Sequence, residues 1–118
     1  MSKKILKDKS FKFAVRIVNL YKYLSEDKKE FVLAKQMLRS GTSVGAMIRE
    51  AEYAESTNDF VHKFSISQKE INETIYWLEL LEATEYISSK EFESINTDAV
   101  EILKLITSSL KTLKKLNH

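Results

Sequence analysis

Arg39-Ser40-Gly41-Thr42-Ser43-Val44-Gly45-Ala46-Met47-Ile48-Arg49-Glu50-Ala51 is the stretch whose reading decides the fold. Small residues crowd it, yet the apolar beat of a helix runs through it and beyond: Leu33, Met37, Ser40, Val44, Met47, Ala51 and Ala54. Gly41 and Gly45 each cost about 1 kcal/mol relative to alanine in a helix interior. A helix that keeps both is expected to have something packed closely against its backbone. The segment is therefore predicted to be continuous helix and a contact surface.

Working outward, the 118-residue chain has two glycines and no proline. A β-rich domain of this length needs more turn residues, so few long helices are expected. Four can be read, at about 10–24, 28–54, 58–84 and 89–116. The first carries Phe11, Ala14, Val15, Ile17, Val18, Tyr21 and Leu24 at helical spacing; the second is the small-residue helix, with Ser25 or Asp27 as candidate caps. The third has a seam of Phe60, Phe64, Ser67, Ile71, Thr74, Leu78 and Leu81, alternating three and four residues. The fourth follows Ser89 as candidate cap and turns Phe92, Ile95, Ala99, Ile102 or Leu103, Ile106, Leu110 and Leu113 inward. Short links make sequential helices antiparallel, which predicts an all-α, up-down-up-down four-helix bundle in a single domain spanning 1–118. Polar seam residues Ser40, Ser67 and Thr74 are expected to set register or permit close packing.

Apolar residues make up 43% and charged residues 31%, as in an ordinary folded domain. Cysteine is absent, which excludes disulfides and thiolate chemistry. No run approaches the roughly 20 apolar residues of a membrane span. The first residues lack the apolar core of a signal peptide. A cytoplasmic protein without membrane contact is the expectation.

Metal and nucleophilic chemistry find little support. A di-iron bundle needs two Glu-x-x-His pairs. Asp59 and His62 supply one acid-x-x-His spacing, with Glu50, Glu70 and Glu73 as the further acids, and the other histidine is the terminal His118. Ser40, Ser43, Ser65 and Ser67 sit mid-helix, where hydroxyls bond their own backbone. No cofactor and no catalytic residues are expected, and the chain reads as a non-enzyme.

The net charge of +2 conceals a strong segregation. Residues 1–30 hold nine Lys/Arg against four Asp/Glu, whereas residues 49–101 hold four against thirteen. Residues 31–48 and 102–118 carry basic charge only. In an up-down bundle Lys3, Lys4, Lys7, Lys9 and Lys12 come to the same end as Lys111, Lys114 and Lys115. Such a cluster points to nucleic acid, through phosphate neutralisation and counterion release. Glu50, Glu52, Glu55 and Asp59 share that end and are the competing partners of these lysines. A protein-interaction scaffold with no direct nucleic-acid role is the alternative.

Surplus apolar strips, including Ile66, Trp77 and Leu80 beside the third-helix seam, predict a homo-oligomer. Its interface is expected at Arg39, Ser40, Gly41, Ser43, Gly45 and Trp77, with the glycine pair admitting a second helix as a GxxxG contact does in membranes.

Three strings carry a family resemblance: Arg39-Ser40-x-x-Ser43-Val44-x-x-x-Ile48-x-Glu50-Ala51, Asp59-Phe60-x-x-Lys63-Phe64-x-Ile66-Ser67, and Glu70-x-x-Glu73-Thr74-x-Tyr76-Trp77-Leu78-x-Leu80-Leu81. They resemble the four-helix-bundle proteins encoded in intervening sequences of 23S ribosomal RNA genes, also called S23 ribosomal proteins. The likeness runs from Phe11 to Leu113. It implies a ring, a pentamer by the family pattern. Accessory proteins of diversity-generating retroelements are similar, and imply a basic surface engaging nucleic acid and a reverse transcriptase. Met47 departs from the pattern, which has asparagine there.

Overall fold

A computed structural model describes residues 2–116, and the side chains of residues 4–115. Its four helices are α1 (Ser2–Glu26), α2 (Val32–Ala51), α3 (Thr57–Ala83) and α4 (Ser89–Leu116). α1 packs on α2, α2 on α3, α3 on α4, and α4 returns to α1, with no diagonal pairing among the described residues. The result is the expected antiparallel four-helix bundle, 48 × 22 × 20 Å.

The turns are built by side chains bonded to backbone. Between α1 and α2, Lys29 adopts a left-handed φ of 57° that reverses the chain. The Glu30 carboxylate then accepts the Ala34 N–H at 2.8 Å. Neither Ser25 nor Asp27 caps α2; the Ser25 hydroxyl donates back to the Tyr21 carbonyl at 2.8 Å and belongs to the end of α1. Before α3, Ser56 Oγ accepts the Asp59 N–H at 3.0 Å, while the Asp59 carboxylate accepts the Glu55 N–H at 3.1 Å. Before α4, Ser88 and Glu91 form a capping box: Ser88 Oγ accepts the Glu91 N–H at 3.1 Å and Glu91 accepts the Ser88 N–H at 2.8 Å. The cap is thus one residue earlier than expected.

The core holds most of the expected residues and corrects α1. That helix starts at Ser2 instead of near residue 10, because Leu6 and Ser10 extend its buried stripe of Phe13, Ile17 and Leu24. Phe11 and Val15, expected inside, lie on the outer face. On α2 the buried line is Ala34, Met37, Ser40, Gly41, Val44, Ile48 and Ala51. On α3 it is Phe64, Ser67, Ile71, Thr74, Leu78 and Leu81, the predicted seam, with Phe60 half-buried at its start. On α4, Ile102 and not Leu103 takes the inner position.

The polar seam residues join α2 to α3. The Ser67 hydroxyl donates to the Val44 carbonyl at 2.9 Å, and the Thr74 hydroxyl meets Ser40 Oγ at 2.8 Å. The two glycines serve α1 of the same chain. A Cβ on Gly41 would stand 2.8 Å from Ile17 Cγ1, and one on Gly45 would stand 3.3 Å from the Ser10 carbonyl oxygen. This corrects part of the expected interface: Ser40 and Gly41 are buried inside the chain's own core, where a second copy cannot touch them.

Candidate nucleic-acid interface

Two ion pairs set α1 against α4. Lys9 Nζ lies 3.1 Å from Glu101, and Arg16 lies 2.8 Å from Asp98 while also donating to the Ser94 carbonyl and hydroxyl. This antiparallel register brings the start of α1 beside the last turns of α4. At 1.5 Å per residue, α4 runs on for roughly 10 Å past it.

The expected lysines divide into two groups. Lys7 pairs with Glu52 at 3.1 Å, and Lys9 is held by Glu101. Lys4, Lys12, Lys111, Lys114 and Lys115 are all exposed and have no ion-pair or hydrogen-bond partner among the described residues. The side chain of Lys3 lies outside the described part, and so does His118. Of the competing acids, Glu50 pairs with Lys63 at 3.1 Å, and Asp59 is occupied in its cap. Only Glu52 reaches a terminal lysine. Lys4, Lys111, Lys114 and Lys115 thus lie toward one end of the bundle and Lys12 nearer its middle, and all five are open to solvent.

The α2–α3 face is organised around Arg39, whose guanidinium reaches Glu70 at 3.2 Å and also holds Glu73. The Trp77 indole N–H donates to the same Glu73 carboxylate at 2.9 Å. That bond first, and Arg39 second, hold Glu73 below the ordinary glutamate range against an opposing desolvation effect. Glu73 in turn raises the Arg39 pKa. The Ser43 hydroxyl donates to the Arg39 carbonyl at 2.7 Å, and Tyr76 stands edge-on to Trp77. Arg39 is thus exposed, whereas Trp77, Ser43, Gly45 and Met47 are half-buried, with Trp77 packed against the core. Among the described residues no three of His, Asp and Glu gather as metal ligands. No helix there is long and apolar enough to cross a membrane.

Two residues outside the expected set stand out on the α1–α2 face. Phe11 is 57% exposed, and the Arg49 guanidinium lies over its ring at 5.8 Å. The signal was available in the spacing: Leu6, Phe13 and Ile17 form one helical stripe that leaves Phe11 outside it.

The family model of the 23S rRNA-intervening sequence proteins matches residues 3–108. Among solved structures, the chain is similar to a protein of unknown function from the S23 ribosomal protein family of Bacteroides thetaiotaomicron VPI-5482. The two share 60% identity and superpose with a TM-score of 0.93, over 94% of this chain and 99% of that one. No curated protein matches. With about nine-tenths of its length matched to the family model and a crystal structure of that family superposing along nearly the whole bundle, the chain belongs to the 23S rRNA-intervening sequence protein family.

Proposed function

We propose that this protein is a non-catalytic, homo-oligomeric bundle that binds nucleic acid, RNA in preference to DNA, through the lysines at its two termini. The observation that carries the reading is the set of five unpartnered lysines: Lys4, Lys111, Lys114 and Lys115 toward one end, and Lys12 further along α1. Solvated cations cost little to bring against phosphates, whereas Lys7 and Lys9 must first leave their carboxylates. Assembly into a ring, as the family pattern implies, repeats the cluster and raises avidity. Support for assembly lies on the α2–α3 side, where Val32 and Tyr76 are large apolar side chains left 72% and 55% exposed.

The test is a mobility-shift titration with structured RNA at rising salt. Affinity is expected to fall steeply, with a log–log slope that shrinks when Lys111, Lys114 and Lys115 are replaced together by alanine. Binding indifferent to both salt and the triple replacement overturns the reading. Light scattering at micromolar concentration tests the assembly, and a monomer there would refute it.

The second reading, a protein-interaction scaffold that engages a reverse transcriptase or another protein, draws on the same exposed Val32 and Tyr76. It is favoured if the oligomer forms and no nucleic acid binds at low salt.

A further inference from the structure

Between α1 and α2 lies a cleft of about 250 Å³ that the terminal lysines do not explain. Its floor is kept shallow by Ala14, Gly45 and Ala46, and the close approach of Gly45 to the Ser10 carbonyl brings the two backbones together beneath it. Its wall is the ring of Phe11, and the guanidinium of Arg49 overhangs that ring. A large aromatic at 57% exposure, in a helix whose core stripe is already complete without it, stands outside the core of its own chain.

The charge around the cleft favours an anion. Arg49 has no carboxylate partner among the described residues. Lys4 and Lys7 precede Phe11 by two turns and one turn on the same side of α1, spanning roughly 10 Å of helix axis. The nearby acids are Asp8 and Glu52, and Glu52 pairs with Lys7, so the cations left free beside the cleft are Arg49 and Lys4. An aromatic face next to a guanidinium, bordered by lysines at intervals along a helix, matches a chain of planar rings joined by phosphates. Base–aromatic stacking needs the π-face of an unpaired base, which a duplex does not offer.

Resting on the nucleic-acid reading above, we infer that the Phe11–Arg49 cleft receives one unpaired base of single-stranded RNA. The base stacks on the Phe11 ring, and the phosphates on either side meet Arg49 and the α1 lysines. The surface then discriminates single strands from duplexes, which the terminal lysines alone do not do.

The experiment is a fluorescence titration at low salt with a single-stranded RNA carrying 2-aminopurine, run beside the same sequence as a duplex. The unaltered protein is expected to bind the single strand more tightly and to quench the reporter on stacking. Phe11→Ala should weaken single-strand binding about tenfold and leave duplex binding unchanged, while Phe11→Trp keeps both affinity and quenching. Circular dichroism reports whether the fold is intact, and Phe11→Trp preserves the test if the alanine variant is damaged. Equal binding of single strand and duplex overturns the inference, as does a Phe11→Ala variant that binds like the parent or loses both forms equally. Tighter binding of an acidic helical peptide, with the same dependence on Phe11, would assign the cleft to a protein and overturn it too. In each of these cases the lysine reading survives if binding still falls on removal of the terminal lysines. No binding of either RNA form by the unaltered protein overturns both.

Discussion

Ile17 occupies the space that a side chain on Gly41 would need: its Cγ1 and Cγ2 lie 2.8 and 2.9 Å from where a Cβ would be. Both atoms sit on the branched carbon of a fully buried residue, so neither can swing aside. Gly41→Ala gains about 1 kcal/mol of helix propensity and meets an overpacking cost of about 1–3 kcal/mol. The expected outcome is a net loss, read as a lower midpoint in thermal unfolding. Gly45→Ala meets only a 3.3 Å approach to Ser10 and is expected to lose less than Gly41→Ala. An equal or higher midpoint for Gly41→Ala would disprove the close packing.

The hydroxyls buried between α2 and α3 give a second expectation. Thr74 lies 2.8 Å from Ser40 Oγ and 2.7 Å from the Glu70 carbonyl. Ser40→Ala leaves Thr74 its carbonyl partner, whereas Thr74→Val leaves Ser40 only a 3.4 Å approach to the Met37 carbonyl. Thr74→Val is therefore expected to cost about 1–2 kcal/mol in denaturant unfolding, and Ser40→Ala less. The double variant should cost less than the sum of the singles, since it removes both members of one pair.

Acid should loosen the Arg39–Glu73–Trp77 group. The Glu73 pKa is lowered in the folded state, first by the Trp77 N–H and then by Arg39. Its contribution is accordingly complete above the ordinary value of 4.5 and is lost as pH falls through the lower folded value. Trp77 is the only tryptophan, so its emission reports the change directly. The spectrum should shift below about pH 4.5 in the parent, and Glu73→Gln should lack that shift. An unchanged acid response in Glu73→Gln would count against the assignment.

The capping box at the start of α4 predicts a local cost. Glu91 is held below its ordinary range by the Ser88 backbone N–H first and by the Ser88 side chain second. Replacing Ser88 with alanine is expected to cost about 1 kcal/mol. Ser89→Ala, one residue on, should be near neutral. The comparison of the two midpoints locates the cap.

How much of this was legible depends on how many stripes each helix offers. The α3 seam from Phe64 to Leu81 alternates three and four residues without a break, and it was read residue for residue. In α1, Phe11 and Val15 form a plausible second stripe beside Phe13 and Ile17, and starting the helix at residue 10 removed Leu6, which decides between them. Adjacent Ser88 and Ser89 are equivalent as letters; only the partner at Glu91 separates them. The glycine pair announced a close neighbour without saying whose. The neighbour proved to be α1 of the same chain, because the short link at residues 27–31 folds α2 back along it. Which of the α1 lysines would be held by Glu52 and Glu101 depended on helix rotation, which residue spacing alone leaves open.

The pairing of α1 with α4 has a consequence for how the bundle forms. Every other helix contact joins neighbours in the chain across a link of a few residues, and such local contacts nucleate quickly. The α1–α4 seam alone joins segments separated by most of the sequence, through Lys9–Glu101 and Arg16–Asp98 among others. Its closure spans the longest loop of the fold, and the entropic cost of closing a loop rises with its length. Folding is thus expected to run as the quick growth of helical hairpins followed by one slower event, in which the first and last helices find each other.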